Sequence, residues 1–233
     1  MADEGLRRLE RRAEAGDLDA QARLLLERVR SGELPAERLR LLFLLDVELA
    51  ARALGVEIPT ARPTSRKLAQ ELEALGPEVM VRVAVALARV IIRRDEPYSH
   101  RAIRAAEAWI LQPDEERARF ARKAADAIAE RRAAIDERLH ASIEAAEAAA
   151  RLAHIAVFPN EAPGHLGPAY WLAGCFGAAV RAAPGGEEAV RLALRQEIEP
   201  WALGRADPVF ERRRNREVDE ASVEGAPIGF LPG

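Results

Sequence analysis

The chain has 233 residues, 49% of them hydrophobic but only 5% aromatic, with a formal net charge of -3. A core of Ala, Leu, Val and Ile follows, and no global positive field draws the chain to nucleic acid or an anionic lipid surface. The single cysteine, Cys175, excludes an internal disulfide and a zinc-finger site. No apolar run approaches the ~20 residues of a membrane span. The opening MADEGLRRLERR lacks the pattern of a signal peptide, so a soluble cytoplasmic protein is expected. The only lysines are Lys67 and Lys123, and the arginine bias reads as the coding habit of a GC-rich genome.

In chain order, residues 3–15 give a short charged helix with Leu6 and Leu9 on its apolar side. Gly16-Asp17 ends it and caps the next helix, Leu18 to about Arg30. Pro35 opens a third over Ala36–Leu45, and Asp46 reads as the cap of a fourth that closes at Gly55. Residues 56–64, VEIPTARPT, carry two prolines and no helical pattern. They form the expected linker between a helical-hairpin region, 1–55, and the remainder.

Ser65–Leu75 is a modest helix ended by Gly76. Glu78–Arg93, EVMVRVAVALARVIIR, is almost wholly apolar and opened by Pro77. Its charges at 78, 82, 89 and 93 fall within one narrow stripe at about 100° per residue. A central helix wrapped on nearly all sides is expected. Ser99 reads as the cap of a helix to Leu111, and Pro113 starts a pattern running from Asp114 to about Phe158. Along it Ile128, Ile135, Leu139, Ala146, Ala150, Ala153 and Val157 share one stripe. Asp136, His140, Glu144, Glu147, Arg151 and His154 share an adjacent one, which reads as a solvated face. A break near Arg131–Ile135 is open, since nothing demands ~45 unbroken helical residues.

Pro159–Gly167, PNEAPGHLG, is the most irregular interior loop, and Pro168 begins a second buried helix, AYWLAGCFGAAV. Glu187–Ile198 is amphipathic and is stopped by Pro200 and Gly204. Residues 65–204 thus form an alanine-rich bundle, and 205–233 read as a tail. The architecture expected is all-α, of about ten helices in αα-hairpins or an irregular bundle around the central helix.

Two resemblances bear on function. AEAGDLDAQARL (Ala13–Leu24) resembles the αα-repeats of the tetratricopeptide and SEL-like class, with no second clean copy in the chain. AIRAAEAWI (Ala102–Ile110), the alanine-rich long pattern, and EAAARLAHIAV (Glu147–Val157) resemble the alanine-rich all-helical immunity proteins of bacterial polymorphic-toxin systems. That resemblance covers roughly 77–200. It implies a protein that neutralises a partner, such as a cognate toxin, by binding it without catalysis.

The chemical constellations are sparse. Glu137-x-x-His140 has the spacing of a bundle di-iron motif, but no second Glu-x-x-His follows, because arginine stands at 151. No metal and no cofactor are therefore expected. Cys175 with His165 could in principle form a nucleophile and base. Its uncharged surroundings make it a core residue instead. No glycine-rich phosphate loop is present. The arginines of the tail are balanced by Asp207, Glu211, Glu217, Asp219, Glu220 and Glu224, so it is no nucleic-acid arm. Trp109, Trp171 and Trp201 read as core anchors.

The leading expectation is a non-enzymatic protein-binding module, immunity-like or adaptor. Its partner-binding residues are expected among His140, Glu144, Glu147, Arg151 and His154, with Asn160, Glu161 and His165 of the loop and Ile228, Phe230 and Leu231 of the tail. The alternatives are a ligand- or metal-binding bundle enzyme using the same stripe and loop, and a structural or cargo protein held by its tail.

Overall fold

The computed structural model describes residues 2–92, 97–134, 136–162 and 166–224. Among them the chain is all-α, with twelve α-helices and no strand. An N-terminal group comprises α1 (Ala2–Glu14), α2 (Leu18–Arg30), α3 (Ala36–Leu44) and α4 (Glu48–Leu54). Asp17 caps α2 as its position suggests, accepting from the Ala20 amide at 3.0 Å. At α4 the cap falls one residue late: Val47 holds the N-cap position, and Asp46 takes a left-handed φ of 59° in the turn before it. Gly55, at φ 68°, closes α4 in the conformation only glycine adopts freely.

Residues 56–64 contain no regular element and lead into α5 (Ser65–Glu73). The central helix is α6 (Pro77–Ile91), with proline in its first turn after Gly76. Every residue from Val79 to Ala88 is buried, Leu87 completely. Burying such a side chain stabilises the fold by about 1.5–3 kcal/mol. The polar stripe of α6 is covered at its middle, while Glu78 at the start of the helix is exposed. Arg82 is buried, and Trp201 and Asp207, from far along the chain, lie against it.

α7 (Pro97–Leu111) follows, with Ser99 buried inside the helix and not at its cap. The long pattern is two helices. α8 (Glu115–Arg131) is capped by Asp114, which accepts from the Arg117 amide at 2.9 Å. Two short 3-10 turns, Arg132–Ala134 and Glu137–Leu139, then reverse the chain into α9 (His140–Ile155). The reversal has a local cause, since Asp136 accepts from the Arg138 amide and restarts the helical ladder.

α9 shares the centre of the molecule with α6. It packs against α6, α7, α8 and α10 (Pro168–Ala182), and every residue from Ala145 to Ala150 is buried. Alanine makes this possible, because small side chains let several helices approach one axis closely. α11 (Gly186–Ala202) runs through Pro200, which was expected to stop it. The chain breaks instead at Gly204, φ 65°.

The segment expected to be a tail contains α12 (Pro208–Glu224). It docks on α7 and α11. Its anchor is Glu107 of α7, 1% exposed, which receives Arg89 of α6 and both Arg212 and Arg216 of α12. Arg212 also pairs with Glu197 of α11. Val209 adds an apolar contact. Composition alone suggested an irregular segment because these partners lie far away in sequence.

One apolar cluster runs through the described residues from Leu25 to Val209. Polar bonds also tie the N-terminal helices to the end of α11. Arg28 donates to the Leu203 carbonyl at 2.9 Å and Arg38 to that of Trp201 at 3.2 Å. No helix among the described residues is long and apolar enough to cross a membrane.

Candidate functional site

The most site-like concavity is a cleft of about 800 Å³ between α5, α9 and the start of α10. Arg66 and Gln70 of α5 form one wall. Glu144, Glu147 and Ala148 of α9 form the floor, and Arg132 reaches in from the α8–α9 turn. Tyr170 and Trp171 form the opposite wall with their rings edge to face, 5.9 Å apart. Tyr170 is 57% exposed, while Trp171 is half-buried. Trp171 packs against the core, as its helical position suggested, and also forms a wall of the cleft. Trp109 and Trp201 are buried. Gly174 lies where α10 passes α9, with room for a Cβ 3.9 Å from Glu144 Oε1.

Charge in and behind the cleft is arranged in pairs. Glu144 accepts from Arg181 at 2.7 Å. Glu147 is buried and receives both Arg132 and Arg151. Arg151 continues to Asp126 of α8 at 2.8 Å. Arg122, on the same face of α8, meets Asp126 and Glu161, and Glu161 meets His154 Nε2 at 3.2 Å. A chain of alternating charge thus fastens α8, α9 and the turn at Pro159–Glu161 together.

The reading of the α9 stripe as a solvated face holds for Asp136 and His140, which are exposed, and fails for Glu147 and His154. Glu147 and His154 are buried, 5% and 3% exposed; Arg132 of the α8–α9 turn and Arg151 pair with Glu147, while Glu161 and Phe158 lie against His154. His154 stacks obliquely on Phe158, ring centres 5.0 Å apart. Of the residues singled out from sequence, Glu144 and Glu147 line the cleft, and Arg151, His154 and Glu161 continue the charge chain behind it. Asn160 is exposed on the turn, and His140 is exposed at the start of α9 without lining the cleft. His165, Ile228, Phe230 and Leu231 lie outside the described residues.

Sequence reasoning missed Arg66, Gln70, Arg132 and Tyr170. Only the exposed aromatic at the start of an otherwise buried helix offered a signal. The helical register of α10 puts Tyr170 on the side away from Leu172, Cys175 and Phe176.

Glu137 and His140 are both exposed at the start of α9. Among the described residues no group of three His, Cys, Asp or Glu side chains is placed to hold a metal ion. Cys175 is fully buried, its thiol against the carbonyls of Ala84 and Ala145 at 3.5 and 3.6 Å. Burial pushes that thiol far above its ordinary range, with the carboxylate of Glu144 adding to the effect. It is a core residue and no nucleophile. No protein-family model, curated protein or solved structure matches the chain.

Proposed function

We propose that the protein works by binding another protein through the cleft between α5, α9 and α10, as an immunity-like or adaptor module, without chemistry of its own. The observation that carries this reading is the lining of the cleft. A half-exposed tyrosine, a tryptophan and an arginine stand together at its mouth. Those residue types supply most of the binding energy in protein interfaces. The carboxylates inside are held in ion pairs with Arg132, Arg151 and Arg181. A carboxylate so engaged orients a surface more readily than it moves a proton. The resemblance of Ala102–Ile110 and Glu147–Val157 to helical immunity proteins supports the same reading, with a toxin-like protein as partner.

The volume favours one second reading, since about 800 Å³ falls in the range of small-molecule sites. Capture from extracts of the native host separates the two. Immobilised wild type should retain a defined protein that Tyr170→Ala and Arg66→Glu lose, while Arg23→Glu on α2 keeps it. Retention by all three variants, with a small molecule recovered from the wild type alone, would replace the protein partner with a ligand.

A further inference from the structure

The cleft holds an imbalance that identifies its complement. Its carboxylates are paired, Glu144 with Arg181 and Glu147 with Arg132 and Arg151. Its donors are not all used. Arg66 takes part in no ion pair or hydrogen bond among the described residues. The indole N–H of Trp171 is buried without an acceptor, and so is Nε of Arg151, whose guanidinium lies 5.9 Å from the Trp171 ring. The first turn of α10 adds to this set. Gly167, Ala169 and Tyr170 line the cleft, and no side chain caps that helix end. Gln70 and Tyr170, also in the lining, are uncharged and can both donate and accept, so the one charge left unmatched among the described lining residues is the positive charge of Arg66.

An unmatched cation in a cleft is complemented by an anion. A neutral amide would leave the charge of Arg66 unmatched. A carboxylate matches it, and guanidinium groups bind carboxylates with two parallel bonds. Tyr170 and Trp171 offer an apolar face for the body that carries the carboxylate. We infer that the cleft of Arg66, Trp171 and Tyr170 is a carboxylate-recognition site, entered by an acidic side chain that the partner presents beside an aromatic or aliphatic group. This inference rests on the recognition reading above and names the chemistry of what is recognised.

The smallest probe of that chemistry is phenylacetate, with phenylacetamide as its uncharged counterpart. Titration of the full chain, followed by NMR at the Trp171 indole N–H, should show phenylacetate binding at about 1–10 mM, as expected of so small a fragment. Phenylacetamide should bind at least ~10-fold more weakly, one charge-assisted pair being worth about that much. Arg66→Glu should abolish phenylacetate binding and Arg66→Lys should retain part of it. Arg66 is exposed and unpaired, so neither change threatens the fold. Equal affinity for acid and amide, or an indole signal unmoved by the acid, would overturn the inference. If the signal stays still while Tyr170→Ala still loses the captured protein, recognition through the cleft stands and the anionic complement falls.

Discussion

Arg212 of α12 donates through Nε to the carboxylate of Glu107 in α7 at 2.9 Å, closing a loop of 105 positions onto a side chain that is 1% exposed. Arg89 and Arg216 converge on the same carboxylate. Glu107 is thus the counter-charge for three guanidiniums from two helices. Replacing it with alanine crowds these cations around Glu197, the carboxylate of α11 that pairs with Arg212. We expect Glu107→Ala to cost about 3–5 kcal/mol, as removal of one partner from a buried pair does. Hydrogen exchange should show the amides of 209–217 losing protection before those of α6. Equal protection in the variant would mean that Val209 alone holds the helix.

Asp207 meets Arg82 in two parallel bonds of 3.0 and 2.9 Å beside Trp201, over which Arg38 and Arg82 both lie. Burial opposes its charge. The hydrogen bonds and charge of Arg82, with the amides of Val209 and Phe210, outweigh that and hold its carboxyl below the ordinary range. A lowered folded pKa contributes stability that is present above the unfolded value, about 3.9, and lost as pH falls through the folded one. Asp207→Asn should therefore destabilise the protein at neutral pH by about 1–3 kcal/mol. Melting curves taken downward from pH 5 should show the gap between variant and wild type closing. A gap of constant size down to the acid limit would remove Asp207 from the account.

Leu87 tests the centre. It is fully buried on α6, and Leu87→Ala should cost about 2–5 kcal/mol through lost burial and a residual cavity. Denaturant unfolding measures this directly, and a loss below ~1 kcal/mol would place the core elsewhere.

How far this architecture was legible depended on where each residue's partner lies. Asp17 and Asp114 accept from amides three positions on, and Pro77 fixes its own φ in the first turn of α6, so each did what its type suggests. Cys175 was identified as core because its uncharged neighbours describe its surroundings. Glu147 and His154 were misplaced on a solvated face, since the groups that meet them, Arg132 and Glu161, stand in the turns on either side of α9 and are brought over it only by the fold. α12 escaped for the same reason. Its charges look balanced in sequence, yet Arg212 and Arg216 are matched by Glu107 on another helix. The cleft was half legible: Glu144 and Glu147 were named, but Arg66 and Tyr170 join them only by tertiary packing.

The linker at 56–64 gives a proteolytic test of domain organisation. Its backbone has no regular element, while Arg62 reaches Asp46 on one side and Glu188 on the other. Limited digestion should cut between Val56 and Ala61 before it cuts within 77–200. If the nicked halves separate on a sizing column, 1–55 is an independent unit. If they co-elute until denaturant is added, the bonds from Arg28 and Arg38 to the end of α11 hold the two parts as one.

Those two bonds also bear on how the chain assembles. Arg28 reaches a carbonyl 175 positions away and Arg38 one 163 positions away, whereas α7, α8, α9 and α10 pack chiefly on their immediate neighbours in sequence. Short-range pairings form first, because closing a long loop costs entropy before any contact repays it. The expected order is a rapid collapse of the middle third, followed by a slower step in which the two ends meet. Stopped-flow tryptophan fluorescence can resolve it, with the late phase belonging to Trp201 and removed by Trp201→Phe. A ribosome-bound chain not yet extended through α11 would then hold a finished centre and an unfastened beginning, its first helices waiting for the carbonyls of Trp201 and Leu203 to emerge.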